Sequence, residues 1–307
     1  MSSPTASSSR RPPRRNLLAL FGPTASGKTA LAGVLRERLG AEVISADSAA
    51  LYAGLPIITA APPYPARIVG VVPLEKNVSV GEYQRLARAE IDNAAVPLLV
   101  GGTGLYFRAA LSSLELPPPA AAERRAFWQA EVERLGSDAA HTLLTERDPA
   151  AARRVHPNDR KRLVRALELA ETGASLAPER DELWTADTRL PTTIVALDLE
   201  LDELDRRIEA RTNAMADAGA AEEAARAWER PLSGTARKIL GLEEFATLPL
   251  AEAVESVARA TRRLARYQRK WLRRMPGVVT LDANRPVEEL ADAVVALGRA
   301  GERLSRH

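Results

Sequence analysis

The sequence predicts an α/β protein, a parallel sheet flanked by helices and interrupted by an all-helical insertion. Three observations carry this. Short apolar runs alternate with segments of helical periodicity, the pattern of a sheet built through crossovers. A glycine-bearing loop lies between the first such run and the first helix. The stretch 123–180 is rich in Ala, Arg, Glu and Leu and carries no strand signal.

In chain order, "NLLALF" (16–21) reads as a buried parallel strand and "TALAGVLRERL" (29–39) as a helix stopped by Gly40. "EVISAD" (42–47) reads as a second strand ending on a carboxylate. "GEYQRLARAEIDNA" (81–94) is helical, and "VPLLVGG" (96–102) is a strand closed by two glycines. After the insertion "TTIVALDLE" (192–200) returns to the sheet, and helices follow over 202–217, 220–229, 236–246 and 251–274. The expected organisation is a disordered basic tail (1–15), a first part of the core (16–115) and the insertion (116–190). A second part of the core (191–285) and a C-terminal helix or tail (286–307) complete it.

Of the 307 residues, 46% are hydrophobic and 27% charged, ordinary for a globular chain. No apolar run approaches the roughly 18 residues of a membrane helix, so no membrane partner is expected. There is no Cys, which excludes disulfides and thiolate metal sites. The Ser-, Pro- and Arg-rich start lacks the apolar region of a secretory signal, and the expected compartment is the cytoplasm. Net charge is +3 with a pI near 9.4, a mild hint of an anionic partner.

The loop is Gly22-Pro23-Thr24-Ala25-Ser26-Gly27-Lys28-Thr29, which satisfies G-x-x-x-x-G-K-[ST]. In this pattern backbone amides cradle phosphate oxygens, Lys28 adds positive charge, Thr29 can ligate Mg²⁺, and the next helix aims its positive end at the anion. The fold class is therefore P-loop NTPase-like. The sequence lacks an N-K-x-D guanine reader and an apolar strand ending in Asp near the loop, since "LLVGG" ends in glycine and Asp198 comes late. This leans toward a small P-loop transferase, either a kinase or not.

"ISADSAALYAGLPIITAAP" (44–62) and "VPLLVGGTGLYFRAAL" (96–111), following the P-loop in that order, resemble the tRNA dimethylallyltransferase family. Further matches are "DPAAARRVHPNDRKRLVRALELAETG" (148–173), "LDELDRRIEARTNAM" (201–215), "GTARKILGLEEF" (234–245) and "TRRLARYQRKWLRR" (261–274). The resemblance spans residues 16–283. It implies transfer of a dimethylallyl group from dimethylallyl diphosphate to N6 of the adenosine beside the anticodon of tRNA, with Mg²⁺ and a monomeric enzyme. It assigns the diphosphate to the loop, with Arg211 and, less directly, Arg207 as further contacts. It makes Asp47 the group that takes the N6 proton and brings Thr103 to the target nucleotide. It sets the anticodon stem-loop against Asp47, Ser48, Ala49, Ala50, Thr103, Arg125 and the run Lys161, Arg162, Leu163, Val164 and Arg165, beside Arg160.

A second basic face runs through Arg262, Arg266, Arg269 and Arg273, and its apolar side, Leu264, Tyr267 and Trp271, is expected to pack on the core. The chain departs from the family where Ala50 replaces a glutamine and Ala61 a lysine, and where 63–75 has no His pair. Other readings are an ATP-using small-molecule kinase, a prenyltransferase of free adenine nucleotides, and an RNA-binding protein with a relict P-loop.

Overall fold

The computed structural model describes residues 16–114, 116–117, 121–177 and 182–304, so the basic tail and part of the 116–122 junction lie outside the described residues. The elements, in order, are β1 (Leu17–Phe21), α1 (Lys28–Leu39), β2 (Glu42–Ser45), α2 (Val80–Asn93), β3 (Pro97–Gly101) and α3 (Gly104–Leu111). Four helices of the insertion follow: α4 (Ala122–Leu135), α5 (Ser137–Arg147), α6 (Pro149–Ala152) and α7 (Arg160–Glu171). The core resumes with β4 (Thr192–Asp198), α8 (Leu201–Asp217), α9 (Ala220–Trp228), α10 (Leu242–Thr247), α11 (Leu250–Arg274), β5 (Val278–Asp282) and α12 (Val287–Leu304).

The five strands form one all-parallel sheet in the order β2-β3-β1-β4-β5. Central β1 is buried at both faces, as its unbroken apolar sequence requires, and Phe21 lies in register with Gly101 on one side and Ala196 on the other. The order reverses across β1, so the carboxyl ends of β1, β2, β3 and β4 open into one crevice. Two apolar layers cover the faces. One includes Phe21, Tyr83, Phe107 and Leu242, and the other includes Leu20, Leu35, Ile208 and Leu290.

Two expectations are corrected here. The helix read over 236–246 breaks: Gly241 takes φ +94°, a left-handed conformation, leaving a 3₁₀ turn at Ala236–Lys238 before α10. Strand β5, missed in the sequence, is a five-residue edge strand with mostly exposed side chains, which weakens its hydrophobic signal.

The insertion builds its own small core from Trp128, Val132, Leu144, Val155, Leu163 and Leu167. Arg108 on α3, fully buried, fastens its return to the sheet by donating from Nε to the Leu183 carbonyl (2.8 Å) and from Nη2 to that of Thr185 (2.9 Å). This ties the segment leading back from the insertion to α3.

Candidate active site

The loop from Gly22 to Gly27 rises from β1 into α1. Its shape depends on backbone that side chains would obstruct. A Cβ on Gly22 would lie 2.7 Å from the Leu197 carbonyl oxygen, and Ala25 and Gly27 take φ of 64° and 89°. Two left-handed residues so close together turn successive N–H groups inward, the geometry of an anion nest. Helix α1 starts at Lys28 with no side-chain cap and no acid in its first turn, leaving its N-terminal amides for a ligand. Ser26 Oγ is buried there with no hydrogen-bond partner among the described residues.

Three charged groups meet at this nest. Lys28, half-buried as a residue, has its ammonium end desolvated and donates to the Pro23 carbonyl at 2.6 Å. Desolvation and the Arg211 guanidinium lower its pKa to about 7, while Asp47 acts in the opposite direction. Arg211 Nη1 donates to Thr24 Oγ1 at 3.0 Å, and burial lowers its pKa as well, with Asp47 offsetting part of this. Two desolvated cations beside one carboxylate are short of negative charge, which a polyanion such as diphosphate would supply.

Asp47 lies two residues past the end of β2. Its Oδ1 accepts from the amides of Ala49 (2.9 Å) and Ala50 (3.4 Å), which fixes the carboxylate on a tight turn. Thr103 caps the start of α3 opposite this turn; its Oγ1 accepts from the Ser48 amide at 3.3 Å and lies 3.4 Å from Ser48 Oγ. The turn rests on stacked Tyr83 and Tyr106, and the Tyr83 hydroxyl donates to the Ser45 carbonyl at 3.0 Å. Ala49 is half-buried and Ala50 buried, so Ala50 presents only a methyl group packed inward.

Sequence reasoning missed Gln268. From α11, buried, its Oε1 accepts from the Thr24 amide at 2.8 Å, and a Cβ on Gly102 would come within 2.5 Å of its Nε2. Gln268 and Arg211 thus grip Thr24 by backbone and side chain, and the same amide wedges the P-loop against Gly102. A long polar side chain on a mostly apolar helix face was the available signal. We expect Gln268→Leu to strand a buried amide and weaken binding of inorganic diphosphate about 5- to 100-fold, read by titration calorimetry. Unchanged affinity would mean that the loop holds its shape without it.

Arg207 is not brought to the nest: it pairs with Glu203 (2.6 Å) and donates toward Ala283 and Asn284 beyond β5. The insertion positions are brought together on α7 and α4. Glu168, buried, takes ion pairs from Arg125 (3.1 Å) and Arg165 (3.0 Å), while Leu163 and Val164 pack inward. Arg160 pairs with Glu133 and Arg162 with Asp159. Lys161 faces Lys238 of the core's 3₁₀ turn closely enough that hydrogen bonding to Lys161, with desolvation, lowers the Lys238 pKa.

The second basic face differs from expectation. Arg262 and Arg266 pair with Asp205 and Glu209 of α8, and Arg269 pairs with Asp198 at 2.8 Å. Of its apolar side, Trp271 packs against the core as expected, whereas Leu264 is 38% and Tyr267 57% exposed, so neither of these does. The reason is that α11 buries a stripe of small residues and Gln268 instead.

Thr29 is exposed in the first turn of α1, and among the described residues no cluster of three or more His, Cys, Asp or Glu forms a metal cage. A divalent ion would fit only with most of its oxygens supplied by a bound diphosphate and water.

The family model described as IPP transferase matches residues 50–275. The chain belongs to this family. It is 40% identical over 300 residues to a tRNA dimethylallyltransferase of Anaeromyxobacter dehalogenans, covering 91% of this chain and 97% of that one. It is 38% identical to that of Acidothermus cellulolyticus, over 95% and 96% of the two chains. Among solved IPP transferases, the tRNA isopentenylpyrophosphate transferase of Bacillus halodurans superposes with a TM-score of 0.68 at 29% identity, covering 96% of this chain and all of that one. A eukaryotic dimethylallyltransferase acting on tRNA shares the fold at TM-score 0.75 and 23% identity, over 88% and 74% of the chains.

Proposed function

We propose that this protein transfers a dimethylallyl group from dimethylallyl diphosphate to N6 of the adenosine beside the anticodon of tRNA. The observation that carries the reading is the meeting of Lys28, Arg211 and Asp47 at an open phosphate nest, in a chain whose IPP transferase relatives bear this name. The allylic C–O bond breaks with its electrons leaving on diphosphate, whose growing charge Lys28, Arg211 and the loop amides stabilise. The N6 lone pair forms the new C–N bond, and Asp47, oriented by its turn, takes the N6 proton. Thr103 and Ser48 hold the adenine edge. Mg²⁺, held by Thr29 and the diphosphate, would supply further charge neutralisation when bound.

A phosphoryl-transferring alternative fits less well. The strand beside β1 ends at Gly101, where a Cβ would meet the Ala46 carbonyl oxygen at 2.3 Å, so a metal-binding carboxylate has no room there. Asp198, across β1, is committed to Arg269. The target adenine must leave its stack to reach the crevice. The exposed cations Lys161, Arg162 and Lys238 between insertion and core give the anticodon stem-loop phosphates a place to dock. We place the enzyme in the cytoplasm as a monomer; no helix among the described residues is long and apolar enough to cross a membrane.

The test is mass spectrometry of nucleosides from unmodified tRNA incubated with the protein, dimethylallyl diphosphate and Mg²⁺. The reading predicts one added dimethylallyl group on an adenosine. Transfer to AMP but not tRNA, γ-phosphoryl transfer from ATP, or RNA binding without chemistry would each overturn it.

A further inference from the structure

The chain between the Asp47 turn and the edge of the sheet passes over α1 as a strap. Residues 61–67, Ala-Pro-Pro-Tyr-Pro-Ala-Arg, hold three prolines and stand between two non-glycine residues of left-handed backbone, Ala60 (φ 46°) and Ile68 (φ 64°). Ile68 is buried and β-branched, so this conformation is costly and persists only because its surroundings impose it. Both ends of the strap are anchored. Before it, buried Glu223 of α9 accepts from the amides of Ile57 (3.0 Å) and Ile58 (2.8 Å) and caps the turn over 55–61. After it, Arg67 bridges to Ile44 of edge strand β2, its amide donating to the Val43 carbonyl at 2.8 Å. The Arg67 guanidinium pairs with Glu42 and Glu90.

Between these anchors the strap lays one side chain on α1. Thr29, Gly33 and Arg36, spaced i, i+4 and i+7, share a face of that helix. The Tyr64 hydroxyl donates to the Thr29 carbonyl at 2.8 Å. Its ring covers Gly33, where a Cβ would stand 3.2 Å from Cε1, and the Arg36 guanidinium lies 5.4 Å from the ring centre. Burial pushes the hydroxyl pKa up to about 12, against the opposing pull of Arg36, so the group stays a donor at neutral pH. Thr29 belongs to the first turn of α1, which has no side-chain cap of its own to hold it. Tyr64 also packs on the same apolar layer as Ala25, a left-handed residue of the P-loop.

We propose that Tyr64 is a positioning residue of the diphosphate site: from the outer face of α1 it fixes the first turn, and with it the direction in which the turn's amides and Lys28 meet the anion. The proposal rests on the diphosphate reading above. It gives the strained backbone at Ala60 and Ile68 a purpose, since the two bends aim the strap at Thr29.

The experiment measures binding of inorganic diphosphate by titration calorimetry, and melting temperature in parallel, for the wild-type protein, Tyr64→Phe, Gly33→Leu and the double variant. Tyr64→Phe keeps the ring and removes one donor, and affinity should fall about 3- to 10-fold. Gly33→Leu improves helix propensity in α1 yet displaces the ring, so binding should weaken by a similar factor while the melting temperature holds or rises. The double variant should lose no more than either single one, because both break the same contact. In steady-state prenyl transfer the same factor should appear in the KM for dimethylallyl diphosphate and not in the KM for tRNA. Wild-type diphosphate affinity in both single variants would overturn the proposal. Losses that add in the double variant, or that only follow a fall in melting temperature, would overturn it too. Absence of prenyl transfer by the wild-type protein would sink the function while Tyr64 still stood or fell on the diphosphate affinities.

Discussion

Asp47→Asn should lower the rate of prenyl transfer by about 10² to 10⁴, the range contributed by a positioned general base. Asn is the informative choice because the turn depends on the same side chain. Its amide oxygen can still accept from the Ala49 and Ala50 amides, as Asp47 Oδ1 does at 2.9 and 3.4 Å. The Ser48–Thr103 contact should therefore persist, and tRNA should bind as before. Asp47→Ala would add a collapsed turn to the lost base and would confuse the two. Single-turnover kinetics with saturating tRNA isolate the chemical step, and near-normal turnover by Asp47→Asn would remove this carboxylate from the proton-transfer role.

Lys28→Met should cost about 10² to 10³ in turnover, as expected when one donor to a developing oxyanion is deleted. It should also change the response to pH. In the unliganded protein the Lys28 pKa is lowered from 10.5 to about 7 by desolvation and by Arg211. A diphosphate against the ammonium would raise it again. Binding then takes up a proton above pH 7, and wild-type affinity should fall with rising pH, by up to tenfold per unit, through this group alone. Below pH 7 Lys28 is already charged and its contribution is flat. Lys28→Met should lose this slope, and calorimetry at pH 8 in buffers of different ionisation enthalpy should lose the proton uptake. The same displacement acts on folding with the opposite sense from a paired lysine. The native state binds this proton less readily than the unfolded chain, so the site costs stability in full below pH 7. That cost fades as pH rises toward 10.5. Lys28→Met should therefore raise the melting temperature at pH 6 while lowering turnover.

The sheet and the P-loop were legible because their signals are local. Buried parallel strands read as apolar runs, and the loop's residues are dictated by backbone geometry at Gly22 and Gly27. Gly101 and Gly102 read only as the end of a strand, although the structure brings the Ala46 carbonyl and Gln268 close to them. Contacts between distant segments were illegible. The bond from Thr24 to Gln268 joins residues 244 apart, and α11 reads by itself as an Arg-rich amphipath whose basic side should face solvent. Only the position of α8 reveals that its acids consume Arg262 and Arg266. Arg207 and Arg211 share a helix face one turn apart. Glu203, four residues before Arg207, captures the first, while Thr24 receives the second. Edge strand β5 escaped because exposed edges do not concentrate apolar residues.

The central claim is that the nest around Lys28 releases an intact diphosphate and does not pass on a phosphoryl group. The direct measurement follows diphosphate release and modified adenosine in one reaction of tRNA with the allyl donor and no ATP. The two products should appear in equal amounts, and both should slow together, by about 10² to 10³, in Lys28→Met. Diphosphate release without modified adenosine, or a product that forms only when ATP is present, would contradict it.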